Sequence, residues 1–145
     1  MKFLWLSFGL VFWPPTFALA GEKINSSWFS NVAIDGYDVV AYHKQNIAIE
    51  GKKDFSAEFK GANWRFISAE NLQEFLSEPD RYIPQYGGYC AFAVVNGTTA
   101  DIDPKVFSIY NGKLYLNYNA KIGKTWEKNK DEFIKKADVN WPKIN

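Results

Sequence analysis

Residues 106–117, VFSIYNGKLYLN, place the dipeptide Asn111-Gly112 between two runs that are rich in aliphatic and aromatic residues. Asn-Gly favours the positive φ values of the tight turns that join antiparallel strands. This stretch therefore predicts a β-hairpin with strands over 106–110 and 113–117, and it is the strongest local signal in the chain.

A second hairpin is predicted upstream, because Phe55, Ala57 and Phe59 alternate with polar residues before a glycine-containing turn. The same alternation resumes after the turn at residues 64–68. Helices are predicted from capping residues and apolar spacing at 69–76, after Pro79, at 121–129 and at 131–138. The sequence does not decide whether the apolar run at 39–42 is a helix or a strand. Two hairpins with several short helices predict a small, single-domain α+β protein.

Length and charge narrow the class of protein. The chain has 145 residues, with 17 Lys plus Arg against 16 Asp plus Glu. This balance excludes a strongly basic nucleic-acid-binding protein, because no excess of cations is present to neutralise phosphates. The chain has one His and one Cys, so an intramolecular disulfide is impossible and a four-ligand zinc site is not expected.

The first twenty residues have the pattern of a secretory signal peptide. Lys2 precedes an apolar run over 3–13, and Ala18-Leu19-Ala20 offers small residues for cleavage before Gly21. The run is shorter than the ~20 residues that a bilayer span needs. We therefore expect a periplasmic or secreted protein with no membrane span after cleavage. Residues 21–33 are predicted to form an N-terminal arm, anchored by Trp28-Phe29.

Several motifs, in order, resemble secreted YHS-domain proteins. They are Asp35-Gly36-Tyr37-Asp38-Val39-Val40-Ala41-Tyr42, the segment from Phe55 to Tyr82 with its Glu78-Pro79-Asp80-Arg81-Tyr82 ending, Pro84-Gln85-Tyr86-Gly87-Gly88-Tyr89-Cys90-Ala91, and Leu116-Asn117-Tyr118-Asn119. The resemblance covers about 34–142 and implies a YHS-type domain there. Other YHS domains resemble short metal-binding modules with a Phe-Cys-Ser-x-x-Cys stretch. Here Ile67 and Asn71 fall on the two cysteine positions, so the dithiol site of those modules is absent.

Cys90 and His43 are the candidate metal ligands, because no other soft-ligand pair exists in the chain. Together they would suit Cu(I), which accepts low coordination numbers, so copper is the candidate cofactor. The alternatives are a buried, inert Cys90 and an exposed or capping His43. If the segment after Cys90 is helical, its amides would favour thiolate, whereas the apolar residues 91–95 oppose it.

Tyr86 and Tyr89 are the candidate ligand-binding residues beside Gly87-Gly88. Their rings either line a pocket for a small ligand or pack around a backbone bend. Asp35 and Asp38 either cap a turn or contribute to a hard-cation site, and turn chemistry is favoured. Asp101 and Asp103 are likewise predicted to be loop and cap residues.

The sequence thus predicts an exported, non-catalytic YHS-domain binding protein for a metal ion of copper type or a small ligand at the cell envelope. An envelope protein is a third candidate partner. The alternative is a thiol-dependent enzyme or redox protein that uses Cys90. No nucleophile elbow, P-loop or His-Glu-x-x-His motif supports any other enzyme class.

Overall fold

The computed structural model describes residues 23–145, so the predicted signal peptide over 1–20 lies outside the described residues. Short helices are combined with two separate two-stranded antiparallel sheets. The predicted α+β class with two hairpins is confirmed. Within 23–145, no helix is both long enough and apolar enough to cross a membrane.

The first hairpin consists of β1 (Lys52–Phe59) and β2 (Ala62–Phe66). Lys60 and Gly61 form its turn with φ values of 49° and 74°, the left-handed conformation that tight hairpins need. Trp64 and Phe66 are buried while their neighbours on β2 are half-exposed, so the predicted alternation is confirmed.

Three helices flank this hairpin along the chain: α1 (Val39–Gln45), α2 (Ala69–Ser77) and α3 (Pro79–Tyr82). The apolar run that sequence left open is therefore helical. Asp38 caps α1, because its Oδ1 accepts hydrogen bonds from the amides of Val40 and Ala41. Ser68 caps α2 through the amide of Asn71, as predicted.

The second half contains a 3-10 turn (Gln85–Gly88), α4 (Ala91–Val95), β3 (Asp103–Tyr110), β4 (Lys113–Asn117), α5 (Ala120–Lys128) and α6 (Lys130–Ile144). Asn111 and Gly112 take φ values of 50° and 74°, which confirms the hairpin predicted from them. The side chain of Asn119 caps α5 by accepting a bond from the amide of Ile122.

The last helix is longer than predicted. It was expected over 131–138 but continues to Ile144, through Pro142. Trp141 explains the extension, because its ring is buried and packs near Tyr86 and Tyr89, with centroid separations of 6.1 and 6.2 Å. Tertiary packing therefore outweighs the local tendency of proline to end a helix.

The N-terminal arm is packed by residues other than those predicted. Trp28 and Phe29 are 92% and 98% exposed, so their prediction as an anchor is wrong. They lie at the tip of a turn that the amide of Asn31 closes by bonding to the Ser27 carbonyl. The buried apolar residues of the arm are Ile24, Val32 and Ala33.

Candidate functional site

The structure brings Tyr86 and Tyr89 together around Trp141 of α6. The Tyr86 hydroxyl donates a 2.9 Å hydrogen bond to Asp138 Oδ1. Burial, reinforced by that carboxylate, raises the pKa of Tyr86 above its usual value. The ring of Tyr89 is half-buried and carries Lys23 Nζ 5.3 Å from its centroid. Both tyrosines thus contact the chain's own helix and arm, as the packing alternative expected.

Gly87 and Gly88 provide close backbone approach, but to the N-terminal arm. A Cβ on Gly87 would stand 1.8 Å from the Lys23 carbonyl oxygen, and one on Gly88 would stand 2.2 Å from Ile34 Cδ1. The amide of Asn25 donates a 2.8 Å bond to the Gly87 carbonyl. The space that these glycines open is therefore filled by residues of this chain.

Cys90 is 2% exposed and immediately precedes α4. Its thiol donates to Asn117 Oδ1 across 3.5 Å, and the same oxygen accepts a 3.0 Å bond from the Phe92 amide. The Cys90 side chain makes no capping bond to α4. The thiol is therefore a hydrogen-bonded core group that makes no bond to the amides of this five-residue helix.

His43 is half-buried on α1, which is more burial than the alternative of an exposed or capping residue expected. Its ring stands edge-on to Tyr82, with centroids 5.4 Å apart, because α3 covers it. Nε2 is enclosed and has no hydrogen-bond partner among the described residues. Burial, reinforced by the charge of Arg81, lowers the pKa of His43, and a hydrogen bond to the Tyr82 backbone opposes the shift.

The two candidate copper ligands have different neighbours. Cys90 bonds to Asn117 at the end of β4, whereas His43 packs against Tyr82 of α3. Across the described part of the chain, no group of three or more His, Cys, Asp and Glu side chains is arranged to hold a metal ion. The structure therefore adds no third ligand to the pair that sequence proposed.

Ile67 and Asn71, the two residues that the sequence resemblance placed at cysteine positions, are both bonded to Asp38. Its Oδ2 accepts a 2.8 Å bond from the Ile67 amide and a 2.9 Å bond from Asn71 Nδ2. Asp38 is fully buried, and with the two α1 amides its carboxylate accepts four hydrogen bonds. A buried carboxylate thus links α1, the end of β2 and α2, as a capping residue.

Asp35, in contrast, is exposed. Partial burial, and then the charges of Asp101 and Asp103, raise its pKa. Asp101 accepts from the Ile102 amide and Asp103 from the Lys105 amide, so the predicted loop and cap roles of both are confirmed. Asp101 lies in the loop that leads into β3, and Asp103 is the first residue of that strand.

A groove between β3 and α5 was missed by sequence reasoning. It has a volume of about 550 Å³ and opens to solvent. Its apolar wall includes Val106, Ala120 and Gly123. Gly123 sets the spacing, because a Cβ there would stand only 2.6 Å from Val106 Cγ1. The absence of that side chain lets α5 lie directly against β3.

Polar groups of the groove converge from both elements. Lys105 comes from β3, Lys124 and Lys128 come from α5, and Glu127 is the acidic residue of the lining. Ser108 lies two residues after Val106 on the same strand face, and its Oγ is buried with no hydrogen-bond partner among the described residues. Buried hydroxyls normally have partners, so the Ser108 Oγ is an unsatisfied polar group on the wall of the groove.

The sequence contains one signal for this groove, which is the spacing of residues on a predicted helix and a predicted strand. Lys124 and Lys128 are four residues apart on a predicted helix and therefore share a face, and Val106 and Ser108 share a face of a predicted strand. What sequence could not supply is the packing of that helix on that strand.

Comparison with family models, curated proteins and solved structures found no match to this chain.

Proposed function

We propose that the protein is an exported YHS-type binding protein that holds a small ligand and performs no chemistry of its own. The observation that carries the proposal is the open groove of about 550 Å³ between β3 and α5. Its volume lies within the ~300–1,000 Å³ typical of small-molecule sites, and apolar residues with a few converging polar groups are the usual lining of such sites.

The environment of Cys90 supports binding over thiol chemistry. A catalytic thiol must reach its substrate, whereas Cys90 is 2% exposed and donates its hydrogen to Asn117. Export is supported by the residue pattern over 1–20, and the YHS assignment by the spaced motifs over 34–142.

Native mass spectrometry of the protein purified from its own host tests this function. We expect a mass above that of the chain, which is lost on denaturation, and a denatured mass that corresponds to cleavage before Gly21. The bare chain alone in the native spectrum would contradict a resident ligand. Rapid iodoacetamide labelling of the native protein, with turnover lost in Cys90→Ser, would favour the thiol enzyme instead.

A further inference from the structure

The groove between β3 and α5 also indicates the chemistry of its ligand. We propose that it binds a small carboxylate with an apolar body, such as a medium-chain or aromatic carboxylic acid. This inference rests on the proposed function, since it names the ligand class of the same binding protein. Three properties of the groove support it: its charge, its unpartnered hydroxyl and its apolar wall.

The charge of the groove favours an anion. Lys105, Lys124 and Lys128 line it and have no ion-pair partner among the described residues, whereas Glu127 is held by Lys130 at 2.7 Å. Lys124 and Lys128 are an i,i+4 pair on α5, and like charges at that spacing repel each other and destabilise a helix. An anion between them would relieve this repulsion. The concentration of lysines is local, because the whole chain carries a net charge of only +1.

The hydroxyl of Ser108 supplies a directional donor. Ser108 lines the groove, and its Oγ is buried and has no partner among the described residues, so a change of its χ1 rotamer would turn the hydroxyl toward a ligand. A carboxylate oxygen accepts well from a hydroxyl, and a bond to a charged acceptor is stronger than one between neutral groups. The site thus offers one donor at the wall and cations at the rim, which suits a single small anionic head group.

The apolar wall of the groove favours a ligand that has an apolar body in addition to its anionic head group. Val106 and Ala120 contribute side chains to the wall, and Gly123 lies close against Val106 there. A volume of about 550 Å³ exceeds what inorganic phosphate or acetate would occupy. Inorganic anions would also leave the apolar wall in contact with water, so the groove favours an amphipathic anion over a bare ion.

An NMR titration of the exported, ¹⁵N-labelled protein with three probes tests the ligand class. Sodium octanoate should shift the amide signals of Val106, Ser108 and Gly123. Octanol, which has the same body without the charge, should bind about tenfold more weakly, and inorganic phosphate should bind more weakly than octanoate. Equal affinity for octanol and octanoate would overturn the anion preference. Octanoate shifts confined to other residues would overturn the site, and the strongest binding by phosphate would overturn the apolar body.

Matched charge reversals test the cations. Lys124→Glu should weaken octanoate binding by about tenfold or more, because it places a like charge beside the carboxylate. Lys53→Glu makes the same charge change at an exposed position of β1 that does not line the groove, and it should change affinity by less than about twofold. Ser108→Ala should weaken binding by about two- to tenfold. Equal effects of the two charge reversals would overturn the proposal, because they would show only a general electrostatic attraction. The thermal midpoint of each variant verifies that it is folded.

Native mass spectrometry of the host-purified protein, repeated with added octanoate, separates this inference from the proposed function. A resident ligand that octanoate does not displace, with no octanoate shifts at the groove, would overturn the carboxylate site and leave the binding function standing. The bare chain, with no octanoate binding, would overturn both. Displacement of the resident ligand by octanoate, with the shifts at Ser108 and Gly123, would support both.

Discussion

The buried carboxylate of Asp38 should be one of the largest single contributions to the stability of this fold. Asp38→Ala removes the acceptor of four hydrogen bonds, from the amides of Val40, Ala41 and Ile67 and from Asn71 Nδ2, with lengths of 2.8–3.0 Å. Each buried donor left without a partner costs about 1–3 kcal/mol, and water entering at the partly buried Ile67 amide offsets part of that cost. We therefore expect the free energy of unfolding to fall by about 3–5 kcal/mol.

Two milder variants divide this effect. Asp38→Asn keeps an oxygen for the two α1 amides but turns an amide nitrogen toward the Ile67 amide, so we expect a loss of about 1–3 kcal/mol. Asn71→Ala removes one donor and leaves the carboxylate with three, for a loss of about 1–2 kcal/mol. Asp54→Ala is the control, because Asp54 is exposed on β1, and surface substitutions usually change stability by less than about 0.5 kcal/mol.

Urea denaturation followed by tryptophan fluorescence measures these differences. We expect the midpoint to shift with an unchanged m-value, because the extent of unfolding is the same in each variant. A loss below about 1 kcal/mol for Asp38→Ala, or a loss equal to that of Asp54→Ala, would refute the argument that this carboxylate holds α1, β2 and α2 together. If Asp38→Ala does not fold, the two milder variants still test the argument. The free energy of unfolding of both Asp38→Asn and Asn71→Ala should be lower than that of the wild type.

Four further predictions follow from other groups. Burial and the charge of Arg81 lower the pKa of His43. Its contribution to stability is therefore complete above about pH 6.5 and is lost as pH falls below that value. In urea titrations at a series of pH values, His43→Gln should reduce the fall in the free energy of unfolding on the acid side. Burial and the carboxylate of Asp138 raise the pKa of Tyr86, so the free energy of unfolding should fall as pH rises above about 10. Tyr86→Phe should reduce this alkaline loss, and it should lower the free energy of unfolding by about 1 kcal/mol at neutral pH. Cys90 should react with iodoacetamide in urea and much more slowly in the native chain; equal rates would contradict its burial. A chelator should leave the melting temperature unchanged, because Ile67 and Asn71 bond to Asp38 and offer no thiol to a metal ion. A fall in Tm together with stoichiometric zinc would contradict this.

Much of the fold was predictable from short-range signals. Asn111-Gly112 fixed one hairpin and alternation of apolar residues indicated the other, because turn conformation and strand period depend on adjacent residues. Ser68 predicted the start of α2 for the same reason. The apolar run at 39–42 was undecidable on its own, since a short buried strand and a short buried helix have the same composition.

The candidate site was less predictable. The sequence identified Cys90, His43, Tyr86 and Tyr89 by residue type, but each owes its environment to a residue far along the chain. Tyr86 bonds to Asp138, and Cys90 bonds to Asn117. The β3–α5 groove was missed, because no local pattern shows which strand face a helix will cover.

The sequence by itself determined the two hairpins, the Ser68 cap of α2 and the balance of charge, all of which follow from residue type and spacing within a few positions. Only the tertiary structure decided that Asp38 bonds to Asn71, that Trp28 and Phe29 are exposed while Ile24 is buried, and that α6 continues to Ile144. The physical reason is that burial and hydrogen-bond pairing are set by segments that meet only after the chain has folded, when packing energy outweighs local propensity.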